Sequence, residues 1–148
     1  MDTNLLMLLI VGAYDRDQVE RTRRIRDRFR AEDFDILTAV LDRFDTRVTT
    51  PHVLTETSNL LAQQLSGYVK NEVFSIFARL VSTDWYERSE AASVLVEVPS
   101  FPRLGLTDVA ISEAARNSYL VLTDDAPLAN HLGRLRVDVL NFTYLRGL

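Results

Sequence analysis

Residues 118–132 read SYLVLTDDAPLANHL. The first half, SYLVLT, is a short apolar run with the character of a buried strand. Asp124 and Asp125 follow where a helix N-cap belongs, ahead of PLANHL. A buried strand that turns at once into a helix is a building unit of an α/β domain with a mainly parallel sheet.

The rest of the chain carries the same alternation. Downstream, RVDVLNF reads as a final strand, followed by TYLR. Upstream, Thr107 is positioned to cap the helix DVAISEAAR, and SVLVEVP reads equally as a strand or as the end of a helix. Asn71 is placed to cap NEVFSIFARLVS, where Val73, Phe74, Phe77, Leu80 and Val81 form one face. Pro51 suits the first turn of a helix through HVLTETSNLLAQQL, and TRVTT before it is a short strand. AEDFDILTAVLDRF repeats Phe34, Leu37, Val40, Leu41 and Phe44 at helical spacing. Ahead of it an Arg-rich helix is expected over Gln18–Phe29. The first helix, Leu5–Tyr14, is apolar all round and hence buried, with Asp2 or Thr3 as its N-cap. No internal repeat, low-complexity segment or Gly/Ser linker interrupts the pattern, and 148 residues suit one domain. In open α/β sheets, ligands bind beyond the carboxyl ends of the strands.

Composition narrows the chemistry. Cysteine is absent, which removes disulfides, thiolate nucleophiles and Cys-type zinc sites and fits a reducing cytoplasm. The only histidines are His52 and His131, too few for a His-rich metal site. His52 is expected to satisfy a local backbone group, and His131 to sit near a helix end compatible with the helix dipole. Trp85 and Tyr86 are read as packing residues. The run Leu5–Val11 is far shorter than the roughly 20 apolar residues of a spanning helix, and no Lys or Arg precedes it as in an export signal. No membrane role is expected.

The net charge of −4 does not favour nucleic acid, so such a role needs a local basic patch or a bound cation. DRDQVERTRRIRDRFR, residues 15–30, is the candidate patch. Asp17–Arg21, Glu20–Arg24 and Arg23–Asp27 stand at i,i+4 spacing, as on a solvated helix face. Arg21, Arg24 and Arg28 also suit an RNA- or partner-contacting stripe, because the guanidinium fork matches phosphate.

Asp2, Glu56, Asp108, Asp124 and Asp125 lie near strand-to-helix turns or early in helices. Capping and the helix dipole account for each aspartate taken singly. Glu56 stands past the cap position and is explained otherwise only as a solvated helix turn. Gathered in one pocket they would repel: at 4 Å and an effective dielectric near 20, a like-charged pair costs about 4 kcal/mol. Such a cluster persists where a divalent cation neutralises it or where some members take up protons. All-oxygen ligands select Mg²⁺ or Mn²⁺, which can activate water and stabilise phosphate charge in an in-line displacement.

DTNLL, TPHVLTETSNLL, LGLTDVAI and LVLTDDAPL, in this order, resemble the acidic motifs of PIN-domain ribonucleases over nearly the whole chain. The resemblance implies a three-layer α/β/α sandwich around a mainly parallel central sheet. It also implies a Mg²⁺- or Mn²⁺-dependent endoribonuclease. By position, Asp2, Glu56, Asp108 and Asp125 match the metal-binding acids, and Asp124 is an assisting neighbour. Thr123 would support the turn by hydrogen bonding, and Asn4 would orient Asp2. Many proteins of this type are toxins of toxin–antitoxin pairs and many dimerise, so an antitoxin protein and a second copy are the implied partners beside RNA. In that family the first acid closes a buried strand; only Met1 precedes Asp2 here, so the first strand is expected to be truncated.

Two other readings bear on the same residues. A haloacid-dehalogenase pattern needs an acid two residues after the first aspartate and a late lysine, but this chain has Asn4 and only Lys70. No Gly-x-Ser-x-Gly elbow, phosphate-cradling loop or dinucleotide fingerprint occurs. A PIN-like fold that no longer cuts and serves as a protein- or RNA-binding module is the alternative from another functional class.

Overall fold

The computed structural model describes residues 1–83, 85–116 and 118–147. Helices dominate, and the strands are short: the chain is α/β with two two-stranded parallel pairs. It divides into two compact units. The first comprises Met1–Asp2, Val48–Glu56 and Glu87–Leu148, and the second comprises Thr3–Arg47 and Thr57–Tyr86.

The second unit is helical. Helix α1 (Thr3–Tyr14) buries Leu5, Leu6, Met7, Leu8, Ile10 and Val11 almost completely, as an all-apolar helix must. Against it pack α2 (Gln18–Arg21), α3 (Arg23–Arg26), α4 (Ala31–Leu41) and α6 (Gly67–Thr83). Gly12 allows the close approach of α1 to α4, since a Cβ at that position would fall inside the Phe34 ring.

The single Arg-rich helix expected over Gln18–Phe29 is instead the two short helices α2 and α3. Thr22 between them is extended (φ −91°, ψ 105°), and its Oγ1 donates to the Gln18 carbonyl at 2.9 Å. Glu20 leaves the helix face and accepts from Ala31 N at 3.1 Å, at the start of α4. None of the three expected i,i+4 ion pairs forms among the described residues. Arg16 instead forks onto Asp35, with Nε at 3.0 and 3.1 Å from its two oxygens. Helix α6 begins at Gly67, four residues before the expected Asn71 cap, because the Ser66 carbonyl already accepts from Lys70 N at 3.3 Å. Of its expected face only Val73 is fully buried, and Tyr86 is exposed rather than packed.

The first unit carries the strands β3 (Val121–Thr123) and β4 (Val139–Asn141), parallel and in register Val121↔Val139, Leu122↔Leu140 and Thr123↔Asn141. Helix α10 (Ala126–Arg134) packs on both. Val121 N bonds the Asp138 carbonyl on the β4 side. Neighbouring residues of a strand direct their backbone groups to opposite edges, so the Leu122 carbonyl faces the other edge. There it accepts a single bond from Asp2 N at 3.2 Å. The neighbour expected of a first strand is thus reduced to one backbone contact, and the chain continues directly into α1.

Helices α7 (Ala92–Leu95), α8 (Phe101–Leu104) and α9 (Leu106–Ala115) surround a core of Leu95, Val109 and Ala110. The ambiguous SVLVEVP is therefore the end of α7 followed by turns. Gly105, not Thr107, occupies the N-cap of α9: its φ of +81° closes α8 and opens α9, a backbone geometry that disfavours any residue with a Cβ. β1 (Val48–Thr49) pairs with β2 (Tyr86–Glu87), and the Thr49 carbonyl accepts from Arg88 N at 2.9 Å. Helix α5 (Pro51–Gln64) starts with Pro51 as expected, and Thr50 Oγ1 accepts from Val53 N at 3.3 Å. Among the described residues no helix is long and apolar enough to cross a membrane.

Candidate functional site

Four of the expected acids lie in the first unit on separate elements: Asp2 beside β3, Glu56 in α5, Asp108 in α9 and Asp125 at the head of α10. Asp2, Glu56 and Asp125 are within electrostatic reach of Asp108. The Asp108 carboxyl is pushed up to about 7, first by burial and then by the charges of Asp125, Asp2 and Glu56. Asp108 stands in the first turn of α9, where the helix dipole by itself favours an anion by roughly 0.3–1 kcal/mol. Desolvation and repulsion outweigh that assistance.

Two of the other carboxylates, Asp2 and Asp125, are held by named donors. Asp2 is 5% exposed, and its Oδ2 accepts from Thr123 Oγ1 at 2.5 Å and from Asp124 N at 2.9 Å. Thr123 is fully buried, and its Oγ1 also accepts from Asp125 N at 2.9 Å. One hydroxyl therefore ties Asp2 to the turn that carries Asp124 and Asp125. Asp125 is the N-cap of α10, with Oδ1 accepting from Leu128 N at 2.7 Å. The cap expected at Asp124 or Asp125 is Asp125, and Asp124 contributes its backbone N–H. Asp108 differs from all of these. Among the described residues its carboxyl takes no hydrogen bond and no cation.

The remaining expected residues fall elsewhere. Asn4 is half-buried in the first turn of α1, in the second unit. Arg21, Arg24 and Arg28 are exposed in that unit, with Arg21 3.9 Å from Asp15 and Arg24 N donating to Gln64 Oε1 at 3.1 Å. His52 does not satisfy a backbone group: its Nδ1 is buried without a hydrogen-bond partner. His131 lies in the last turn of α10, 3.1 Å through Nδ1 from Arg103 Nη2. Burial, Arg103, Arg134 and Arg116 lower its pKa, so it is neutral at pH 7 and adds no charge to the helix end.

Among the described residues no three His, Asp or Glu side chains form a ready chelating group. Mg²⁺ does not require one, because it keeps several waters and binds through one or two carboxylates plus phosphate oxygens. The donor set fits such an ion: all oxygen, with an unbonded carboxyl at Asp108 on which three other carboxylates act. Compared with protein-family models, with curated proteins and with solved structures, the chain matches none.

Proposed function

We propose that this chain is a PIN-type endoribonuclease, with a three-layer α/β/α plan around β3 and β4, that hydrolyses RNA phosphodiester bonds with Mg²⁺ or Mn²⁺. The observation that carries the reading is the convergence of Asp2, Glu56 and Asp125 on Asp108, from positions scattered across the chain. Capping explains one acid at a time, but it gives no reason for three of them to act on the fourth.

Asp2, Glu56, Asp108 and Asp125 would hold the ion, which supplies an activated water and compensates phosphate charge. Thr123 and the Asp124 N–H fix Asp2 before any ligand arrives, and Leu128 N fixes Asp125. Without the ion the Asp108 carboxyl titrates at about 7, and it would give up its proton on holding the ion.

The test is cleavage of single-stranded RNA with Mn²⁺, with an EDTA control, by wild type and Asp108→Asn. Cleavage that disappears in a folded Asp108→Asn protein supports the reading. Equal cleavage by both would assign the activity to contamination, and no cleavage by either leaves the non-cutting binding module. A toxin role, with an antitoxin or a second copy as partner, rests on the family resemblance alone. Inhibition of the cleavage by a co-expressed antitoxin would support it.

A further inference from the structure

Within the first unit lies a cavity of about 280 Å³. On α5, His52 lines it one helical turn before Glu56; on α9, Ala110, Glu113 and Ala114 line it from the helix face turned away from Asp108. Arg88, Glu90, Arg116, Tyr119 and the hydroxyl side chains of Thr50, Ser89 and Ser118 complete the polar wall.

These groups are arranged for a ligand. Arg88 holds its guanidinium 5.7 Å from the centre of the Tyr119 ring, and its Nη2 donates to the Tyr119 hydroxyl at 3.1 Å. Its backbone is fixed by the bond to Thr49. Arg88 makes no ion pair among the described residues, whereas Arg116 is paired with Glu113 at 3.0 Å. Arg88 is therefore the cation still able to take an anion. His52 lines the same cavity. A guanidinium selects phosphate, and an arginine–aromatic pair is a surface on which unstacked bases of single-stranded RNA settle.

We propose that this cavity is a nucleotide subsite, in which Arg88 takes a backbone phosphate and a base stacks with the Arg88–Tyr119 pair. The assignment rests on the ribonuclease reading and names where one nucleotide of the substrate strand is held. A single strand is required, because a paired base cannot leave its stack to fill the cavity.

The experiment measures binding of a short fluorescein-labelled single-stranded RNA in EDTA, so that cleavage does not intervene. Wild type, Arg88→Gln and Tyr119→Leu are compared, and melting curves report folding. Arg88→Gln and Tyr119→Leu are each expected to weaken binding about tenfold. Arg88→Gln also lowers the slope of log affinity against log salt by about 0.7, as removal of one phosphate contact to a single strand does. Unchanged affinity and slope in Arg88→Gln, which alters an exposed side chain, overturn the subsite, as does failure of wild type to bind RNA. Mn²⁺-dependent cleavage with an unchanged KM in Arg88→Gln removes the subsite and leaves the ribonuclease. Cavity-dependent binding without cleavage does the reverse.

Discussion

Thr123 Oγ1 donates a 2.5 Å hydrogen bond to Asp2 Oδ2 across 121 positions of sequence. The same hydroxyl accepts from Asp125 N, so it joins two of the four acids. Thr123→Val keeps the shape and removes both bonds, leaving a buried carboxylate with fewer donors. An expected loss of about 2–3 kcal/mol in urea unfolding follows, with Thr123→Ser within about 1 kcal/mol of wild type. A Thr123→Val protein as stable as wild type would show that the hydroxyl does not hold Asp2.

Stability should fall with rising pH through the range that Asp108 spans. Its carboxyl titrates near 3.8 in the unfolded chain and about 7 in the folded one, so between these values the folded state holds the extra proton. Unfolding then releases that proton, and ΔG of unfolding decreases as pH rises. The contribution is at most about 4 kcal/mol, less after screening because the group is half-buried. Asp108→Asn should flatten the dependence between about pH 4 and 7 and be the more stable protein near pH 8. Denaturant unfolding at several pH values checks this, and an unchanged pH dependence in the variant would remove Asp108 as its source.

A divalent cation competes with that proton. Under the proposed function, Mn²⁺ should raise the melting temperature of wild type more near pH 8 than near pH 6, because ligand carboxylates must be ionised. Asp108→Asn should lose most of the shift. A Mn²⁺ effect of equal size in both proteins at both pH values would place the ion elsewhere.

What the sequence made legible follows from the range of the forces involved. The all-apolar Leu5–Val11 run, Pro51 at a helix start and Asp125 as a cap obey rules that act within one or two turns, and these elements stand where expected. Thr107 failed as a cap because Gly105 joins α8 to α9 with a positive φ, a feature of the join and not of the helix. The Arg-rich helix broke at Thr22 because Glu20 found a partner at Ala31, beyond the i,i+4 window. Sheet extent was the least legible feature: strand character in SYLVLT and RVDVLNF does not reveal that only three residues of each will pair. Each aspartate of the candidate site looks singly like an ordinary helix-start residue, and only Glu56, past the cap position, lacks that explanation. The Arg88–Tyr119 pair, 31 positions apart, leaves no local trace at all.

The approach of α1 to α4 has its own test. Gly12→Ala gains about 1 kcal/mol of helix propensity but drives a methyl into the Phe34 ring, and overpacking typically costs about 1–3 kcal/mol. A net loss is expected. Phe34→Leu in the Gly12→Ala background should recover part of it, a coupling that a double-mutant cycle measures. Additive effects of the two substitutions would mean that the residues do not meet.

Asp125 separates capping from chemistry. Its Oδ1 accepts from Leu128 N, and an asparagine carbonyl caps as well as a carboxylate does. Asp125→Asn should therefore fold with stability within about 0.5 kcal/mol of wild type, whereas Asp125→Ala should lose about 1 kcal/mol. The carboxylate charge is gone in both variants, so the proposed Mn²⁺-dependent RNA cleavage should fall equally far in each. Removing that charge also relieves Asp108, whose carboxyl should titrate lower in either variant, a shift that NMR of the side-chain carboxyl reads directly. Full cleavage by Asp125→Asn would reduce Asp125 to a cap. An unshifted Asp108 in either variant would deny that the two carboxylates share one pocket.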